Sequence, residues 1–447
     1  MDRLALTPEI HALIQQQSWP ALRELLEEYT AADIADLMLE ISAAERLLVF
    51  RCLPRDLGSE VFSHLDVEEQ DELIRQFTDQ ETRHVLATMT PDDRTALFEE
   101  LPAEVTVRLL NMLDPEDLRE AKQLLGYPDE SAGRLMTPDY VAIRAHWTVA
   151  RALDHIRKYG HDRESINIVY VRDAHGRLLD ELRLRQIVLA PADATVSELM
   201  DRSVISLSAF DDREVAVRLM RKYDISALPV VDSEGVLLGM VTFDDVLDVA
   251  EEEATEDIHK GASVAPLRMS YDRAPITLLY GKRIGWLTLL VIMALASSGV
   301  IAIFEETLEA HIALALFMPL LIDSSGNVGS QSATLMIRAL VTDDVKLNQW
   351  ARVLFKEFGV GLLLGVTLGA LSALLGIFRG DWMIGVVVGL TMVSVVLFAN
   401  LVGTILPFIL TKLRLDPATA SAPLITTIAD ASGLFIYFSI ASVVLGI

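Results

Sequence analysis

Cysteine and positive charge are both scarce in this sequence. Among 447 residues there is one cysteine, Cys52, which excludes an internal disulfide framework and is typical of a reducing compartment. The 38 Lys and Arg are outnumbered by 64 Asp and Glu, which leaves a formal net charge of −26. A surface this acidic repels nucleic acid and attracts divalent cations, so we expect no nucleic-acid partner. The phosphate-cradling pattern G-x-x-x-x-G-K-S/T is also absent, and we expect neither nucleotide hydrolysis nor another enzymatic activity.

The charge is distributed unevenly along the chain. Nearly all of the net negative charge falls before residue 271, and long apolar runs fill the remainder. The first residues, MDRLALTPEI, lack the basic and apolar regions of a secretory signal, so we expect no cleaved leader. We predict a multidomain membrane protein made of an all-α superhelical N domain (1–130), a tandem α/β pair (131–247), an acidic connecting helix (248–270) and a five-helix α transmembrane domain (271–447).

A repeat of twelve residues runs from Thr30 to Asp114. Residues that start or cap helices recur at this spacing, each preceded by an apolar or aromatic residue; they are Thr30, Ser42, Pro54, Asp66, Thr78, Thr90, Pro102 and Asp114. Ser, Thr and Asp accept hydrogen bonds at helix starts, and Pro is tolerated there. The pattern predicts a solenoid of short helices, each stabilised by its neighbours. Its acids, among them Asp92, are interpreted either as a solvated face or as ion ligands.

Two later stretches share one order of elements: a short strand, an amphipathic helix, a β-branched strand, a D-x-x-G turn, another strand and a helix. This order resembles a tandem CBS-domain pair, and the second copy matches closely in ISALPVVDSEGVLLGMVTFDDVL. CBS pairs are regulatory and often bind adenine nucleotides. The resemblance implies Tyr170 and Arg185 as contacts for such a ligand, which leaves ATP open as a cofactor. The alternative gives both residues ordinary packing and surface roles.

Acidic residues accumulate behind the second copy. The stretch DVLDVAEEEATEDIHK predicts a helix on which Asp245, Asp248 and Glu252 share one face, and Glu253 and Glu256 an adjacent one. Two carboxylates about 5 Å apart repel by about 3 kcal/mol at an effective dielectric of about 20. Mg²⁺ or Ca²⁺, which prefer oxygen ligands, would relieve that repulsion. We interpret the segment as a metal-sensing helix, with a solvated face as the alternative.

Five apolar segments follow, at about 278–304, 308–340, 351–378, 382–411 and 417–446, each long enough to cross a bilayer. Lys and Arg concentrate before the first segment, between the second and third, and between the fourth and fifth. The positive-inside rule then places residues 1–277 in the cytosol and the C-terminus outside a plasma membrane.

Asp430 lies near the middle of the last segment. An acid at that depth costs at least about 2.5–3.5 kcal/mol, so we expect it to face protein or water. We interpret it as a cation site on a pore axis; the alternative is pairing with a buried base. The second segment, PLLIDSSGNVGSQSATLMIRAL, has polar and small residues that suit a water-filled cavity or a packing seam. The lining candidates are Asp323, Gly326, Asn327, Gly329 and, in the fourth segment, Asn400.

Together these features resemble the MgtE family of magnesium channels. The match covers the helical N domain, the CBS pair, the acidic helix ending ATEDIHK, and the two motifs PLLIDSSGNVGSQSATLMIRAL and PLITTIADASGLFIYF. The resemblance implies a homodimer whose pore lies between subunits and is lined by the second and fifth spans. It carries the pore aspartate onto Asp430 and pore-wall positions onto Thr426 and Ala422. It carries cytosolic Mg²⁺ sites onto Asp92, Glu214, Asp224, Asp245, Asp248, Glu253, Glu256 and Asp257.

The resulting hypothesis is a Mg²⁺-selective homodimeric channel in the lipid bilayer that cytosolic Mg²⁺ closes. Ions bridging the acidic lobes would bring a plug helix, at about 248–268, over the path. One rival is a divalent carrier of broader specificity for Co²⁺, Ni²⁺ or Zn²⁺, although the five segments contain no Cys and their single His, His311, lies near an outer end, which argues against a transition-metal specialist. Another rival is a membrane-anchored nucleotide sensor, which has no need of a central carboxylate.

Overall fold

The computed structural model describes residues 7–161, 163–267, 271, 274–342, 344–379 and 381–446, with the side chain of Asp56 left aside. Two compact units divide between Glu251 and Glu252. The first contains a helical array and two α/β modules, and the second contains the long apolar helices.

Short helices fill residues 7–124. They are α1 (Thr7–Gln15), α2 (Trp19–Leu26), α3 (Ala31–Leu39), α4 (Ala43–Cys52), α5 (Arg55–Ser63), α6 (Val67–Gln76), α7 (Asp79–Thr88), α8 (Pro91–Glu100), α9 (Ala103–Leu110) and α10 (Pro115–Leu124). Every predicted starting residue from Thr30 to Asp114 is the N-cap of its helix. Ser42 and Thr78 complete capping boxes with Glu45 and Glu81, because each of these glutamates bonds back to the N-cap backbone. The predicted solenoid is confirmed.

Alternate helices of the array pack on one another: α2 on α4, α3 on α5, α4 on α6, α5 on α7 and α8 on α10. A second period, of 24 residues, fixes this arrangement. Arg46 Nε donates to the carbonyl oxygen of Met38 at 2.9 Å, Gln70 Nε2 to that of Phe62 at 2.8 Å, and Arg94 Nη1 to that of Leu86 at 3.0 Å. All three donors are buried. They donate to carbonyl groups in the last turns of α3, α5 and α7, where a helix has no amide four residues later to bond them.

The two α/β modules have the same topology. Each sheet has three strands, of which the first two are parallel and the last two antiparallel. The elements are α11 (Ala132–Leu135), β1 (Ala142–Ile143), α12 (Val149–Tyr159), β2 (Ile168–Arg172), β3 (Leu178–Arg183), α13 (Leu184–Leu189), α14 (Val196–Leu199), β4 (Leu207–Ser208), α15 (Arg213–Tyr223), β5 (Ala227–Val231) and β6 (Leu237–Thr242).

The D-x-x-G turns join the two modules. Gly176 and Gly235 have φ of +87° and +79°, a conformation that glycine adopts without strain. The Leu178 amide donates to the Gly235 carbonyl at 2.9 Å, and the Leu237 amide donates to the Gly176 carbonyl at 3.1 Å. These two reciprocal hydrogen bonds connect equivalent turns of the two modules, which pack as the pair that the repeated sequence predicts.

The connecting helix, α16, extends over Phe243–Gly261. It therefore begins inside the predicted α/β segment and ends before the predicted limits of 268 and 270. Ser263, two residues after the helix, has φ of +60° and so lies in the left-handed region. The predicted residues 268–270 lie outside the described part of the chain.

The long helices are α17 (Ile276–Ile303), α19 (Met318–Val341), α20 (Trp350–Arg379), α21 (Trp382–Lys412) and α22 (Ala422–Leu445), with the short α18 (Glu305–Ala310) after α17. Among the described residues, α17, α20, α21 and α22 are long and apolar enough to cross a membrane. The second predicted span is wrong in its limits, since residues 308–317 fall partly in α18 and partly in a 3₁₀ turn. The remaining helix, α19, is continuous over 24 residues, but Asp, Ser, Asn and Gln side chains interrupt its apolar sequence.

Helix α21 is the centre of this unit and packs on α19, α20 and α22. Its contact with α20 depends on glycine. A Cβ atom on Gly369 would lie 2.7 Å from Val393 Cγ2 and 2.9 Å from the Gly389 carbonyl oxygen, and one on Gly376 would lie 2.7 Å from Gly385 Cα. The absence of side chains lets the two backbones approach closely.

Candidate functional site

A polar stripe lies exposed along α19. Asp323, Asn327, Gln331 and Thr334 recur at intervals of three or four residues, so they share one helix face, and all four are exposed. Residues on the other side, including Ser325, Val328 and Ser332, are buried. Sequence reasoning named Asp323 and Asn327 as lining candidates and counted Gln331 only among the polar residues of the segment. It missed Thr334, although the same helical spacing applied to the motif would have found it.

Helices α19 and α22 run antiparallel beside this stripe. Ser330 Oγ lies 3.4 Å from the carbonyl oxygen of Ala422 and 3.3 Å from Thr426 Oγ1. A Cβ atom on Gly326 would lie 2.8 Å from Thr426 Cγ2, and one on Gly433 would lie 3.6 Å from Ser325 Oγ. Residues later in α19 therefore contact residues earlier in α22, as antiparallel helices require.

Asp430 occupies the face of α22 that also carries Ala422 and Thr426, at intervals of four residues. The residue is half-buried. Its Oδ1 atom is buried and has no hydrogen-bond partner among the described residues. In the same part of the chain, no salt bridge pairs Asp430 with a base, and its electrostatic neighbour is another acid, Asp323 of α19. The described structure therefore favours the ion-site interpretation of Asp430 over pairing with a buried base.

The pore-wall candidates differ in what they offer. Thr426 Oγ1 donates to the Ala422 carbonyl oxygen at 2.8 Å, so this hydroxyl is engaged by its own helix. Ala422 presents that carbonyl oxygen, which Ser330 also approaches. Asn327 Nδ2 donates to Asp323 Oδ2 at 3.3 Å and holds the carboxylate on the stripe.

Gly326, Gly329 and Asn400 are buried packing positions rather than members of the exposed stripe. The two glycines admit Thr426 and Ile425 of α22. Asn400 accepts a hydrogen bond from Ser332 Oγ at 2.5 Å and donates to the Glu357 carbonyl oxygen at 2.8 Å, thereby connecting α19, α20 and α21. Sequence reasoning expected these three to line a path, and the structure corrects this because each faces a neighbouring helix.

A second acidic group lies in the first unit. Asp92 in the first turn of α8 and Asp245 in the first turn of α16 are electrostatic neighbours, together with Asp93, Glu164 and Asp244. Asp92 is only 8% exposed, and its Oδ1 atom has no hydrogen-bond partner among the described residues. The interpretation of Asp92 as part of a solvated face is wrong.

Burial raises the pKa of both Asp92 and Asp245, and the charge of Asp92 adds to the shift at Asp245. Burial also raises the pKa of Glu164 to about 7, with Asp92 and Asp244 contributing. Asp245 in addition accepts hydrogen bonds from the backbone amide and the hydroxyl of Thr242, which secure the start of α16. Mutual repulsion among these carboxyl groups contributes to the raised pKa values, and a divalent cation would reduce that repulsion.

The other predicted acids of the first unit are Glu214, Asp224 and Asp248. Glu214 is in the first turn of α15 and Asp224 is its left-handed C-cap, so they are about 15 Å apart along the helix axis. One ion cannot bind both residues of one chain. Asp248 is exposed on α16.

The third acidic group lies in the second unit, at the C-terminal end of α16. Lys260 Nζ forms ion pairs with Glu256 and, at 2.6 Å, with Asp416 Oδ2. Burial, the charge of Asp416 and lesser repulsion from Glu253 and Glu256 raise the pKa of Asp257 to about 6, although Lys260 opposes the shift. Sequence reasoning missed Asp416 because it lies in the loop before the last span, far along the chain from α16.

The end of α16 is also secured beyond this pair. The hydroxyl groups of Ser263 and Ser421 lie 2.6 Å apart, and both residues are buried. The Ala265 amide donates to the Lys282 carbonyl oxygen at 3.0 Å. The segment after the connecting helix is thus fixed to the start of α22, the helix that carries Asp430.

The two predicted nucleotide contacts, Tyr170 and Arg185, differ in exposure. Tyr170 is fully buried on β2, where its ring packs edge-on against Tyr140, whereas Arg185 is exposed on α13. Among the described residues, no group of three or more His, Cys, Asp or Glu side chains has the arrangement of a metal centre.

Family models match three parts of the chain. They are described as "MgtE intracellular N domain" (residues 29–130), "CBS domain" (132–193 and 196–252) and "Divalent cation transporter" (318–440). A magnesium transporter MgtE from Thermus thermophilus is 42% identical over 448 residues, which cover 99% of both chains. The chain belongs to the MgtE family. A family member from Bacillus subtilis is 33% identical over 94% of this chain and 95% of its own.

Solved structures agree with this family. A crystal structure of the cytosolic domain of the Mg²⁺ channel MgtE in complex with ATP is 37% identical and matches with a TM-score of 0.53, covering 54% of this chain and 99% of that one. The soluble part of a magnesium transporter is 26% identical and also matches with a TM-score of 0.53, covering 57% and 100%. The expected tandem CBS pair and MgtE membership are confirmed.

Proposed function

We propose that this chain forms a homodimeric, Mg²⁺-selective channel whose path is lined by α19 and α22. Family membership supports Mg²⁺ transport across a membrane, by a transporter rather than an enzyme. The observation that carries the finer proposal is Asp430, with a buried carboxylate oxygen that lacks a partner among the described residues, beside the exposed polar stripe of α19.

The exposure of that stripe supports the proposed homodimer. Carboxylate and amide side chains on the outside of a membrane helix are costly in lipid, so they face water or protein. A second copy, related by a two-fold axis beside α19 and α22, would cover the stripe and bring two Asp430 side chains across a shared aqueous path. In a two-fold dimer the same surface of each copy contacts the other, so α19 and α22 of both copies would line the path.

The proposed site suits a hydrated ion. Mg²⁺ dehydrates reluctantly and keeps several waters, so two facing carboxylates would bind it largely through its water shell. An inside-negative potential would drive entry by about 2.3 kcal/mol per charge per 100 mV, and Mg²⁺ carries two charges.

Two alternatives remain distinct from this proposal. A broader divalent carrier would transport Co²⁺, Ni²⁺ or Zn²⁺, yet α19 and α22 contain neither Cys nor His, the ligands those ions favour. A nucleotide sensor is favoured only as an added role, because a related cytosolic domain was solved with ATP. We propose that ATP, if bound here, contacts the region of Tyr170 and Arg185 and regulates the channel.

The proposed gate is the connecting helix. Cytosolic Mg²⁺ would neutralise Asp92 and Asp245 in the first unit and Glu253, Glu256 and Asp257 in the second, with further sites at Glu214, Asp224 and Asp248. Moving a gate from 1:99 to 99:1 takes about 5.5 kcal/mol of differential binding, so at about 1–3 kcal/mol per site several ions are needed. We place the N domain and CBS pair in the cytosol and the C-terminus outside the plasma membrane.

Flux through purified protein in liposomes tests the proposal. Asp430→Ala should abolish Mg²⁺ entry into vesicles loaded with a Mg²⁺ dye, since it removes the carboxylate at the proposed site. Glu306→Gln, which removes an exposed acid from α18, is the control and should transport normally. Size-exclusion chromatography must show the same dimer for both. Wild-type flux through a dimeric Asp430→Ala variant would refute the site.

A further inference from the structure

Asp323 lies within about one helical turn of the level of Asp430. Around it, Gly326 meets Thr426, and Ser325 meets Gly433, so the level of Asp430 falls between those two contacts. The two acids are electrostatic neighbours. Asp323 is also exposed on the polar stripe, where Asn327 donates to it. It therefore faces the same side as the proposed path.

The charge of these two acids is not balanced by bases on their own helices. Helix α22 contains no Lys or Arg, and the single base of α19 is Arg338. Arg338 is fifteen residues from Asp323, which is about 22 Å along the helix axis. Neighbouring carboxylates within a membrane unit need a counter-charge, and mobile cations in the proposed path would supply it.

We infer that Asp323 is a second cation-binding carboxylate of the conduction path and that it determines the selectivity for divalent over monovalent cations. This inference rests on the proposed function. A two-fold axis through the path would place four carboxylates, two from each copy, around one level. Four negative charges favour a doubly charged ion over K⁺ or Na⁺ more strongly than two do, because the attraction scales with the charge of the ion. Asn327 is the positioning residue that holds Asp323 on the stripe.

Mg²⁺ and Na⁺ flux into liposomes, measured on the full-length dimer, tests the inference. Asp323→Asn keeps the shape of the side chain and removes its charge. It should raise the Mg²⁺ concentration for half-maximal flux by roughly tenfold, the factor that a lost interaction of about 1.4 kcal/mol produces. It should also increase Na⁺ entry in the absence of divalent ions. Glu306→Gln serves as the matched acid-to-amide control and should change neither value.

The outcomes separate the inference from the proposed function. If Asp430→Ala abolishes flux while Asp323→Asn matches the wild type in both measurements, the inference is overturned and the proposed function stands. If neither variant changes flux, the proposed path is wrong. Asp323→Ser provides the same comparison should Asp323→Asn not form a dimer. A loss of Mg²⁺ affinity without any gain in Na⁺ entry would also overturn the selectivity role.

Discussion

Aspartate residues in this chain have different roles, which their neighbours decide. Asp173 and Asp232 accept backbone amides in tight turns, with Oδ1 distances of 2.8 and 2.9 Å in each. The D-x-x-G pattern predicted these because the interaction is local. Asp92 is different: it is buried, and its electrostatic neighbours include Glu164 and Asp245, which lie far along the chain and which no local pattern reveals. Sequence alone therefore identified the acid but not its environment.

The raised pKa values near Asp92 lead to a prediction about pH. A folded state with raised carboxyl pKa values binds protons more tightly than the unfolded chain, so stability increases as the pH falls through those values. The pKa of Glu164 is raised to about 7, so part of this change in stability occurs near neutral pH. Without divalent ions, the melting temperature should be higher at pH 6 than at pH 8.

Asp92→Asn should reduce this pH dependence and raise the melting temperature at pH 8, because it removes one of the repelling charges. Asp193→Asn, at an exposed position, is the control and should melt like the wild type at both pH values. The measurement is thermal unfolding of the full chain in detergent, followed by intrinsic fluorescence. An unchanged pH dependence in Asp92→Asn would contradict the account.

At the scale of elements, periodic sequence was a reliable guide. The twelve-residue repeat predicted each N-cap from Thr30 to Asp114, since capping is encoded within four residues. The second span was harder, because hydropathy does not show where a 3₁₀ turn gives way to α19. Asn400 was assigned to the wrong environment for a related reason: its partners lie on two other helices.

Close packing of α20 on α21 leads to a prediction about stability. Gly369→Leu should push the helices apart and destabilise the membrane unit by about 1–3 kcal/mol, the usual cost of overpacking. Gly359→Leu is a matched control on the same helix, since a Cβ atom there meets nothing within 4 Å. Thermal unfolding in detergent should show a lower melting temperature for Gly369→Leu alone. Equal melting temperatures would show that the glycine contact is dispensable.

For the molecule as a whole, the division of charge has a consequence that can be measured. The net charge of −26 lies mainly in the part of the chain before the membrane helices, where divalent ions would reduce repulsion. Millimolar Mg²⁺ should therefore slow proteolysis near α16 in the full-length protein. NaCl of equal ionic strength should protect less, because screening does not bridge carboxylates.

Asp245→Asn should weaken this protection, since the residue belongs to the acidic group around Asp92. Asp193→Asn should leave it unchanged. Equal protection by Mg²⁺ and NaCl would contradict ion bridging. The proteolysis assay reports closure of the cytosolic part, and patch-clamp recording with raised cytosolic Mg²⁺ reports closure of the conduction path. A current that persists at millimolar cytosolic Mg²⁺ would refute feedback.

The buried donors Arg46, Gln70 and Arg94 limit how the helical array can change in length. Each reaches a carbonyl group eight residues earlier, on the helix before its own, and the three recur every 24 residues. Loss of α3, α5 or α7 alone would remove the carbonyl partner of one buried donor, whereas loss of a consecutive pair such as α5 and α6 would remove a donor together with its acceptor. Shortening of this domain by such pairs of helices would therefore leave the remaining buried donors satisfied.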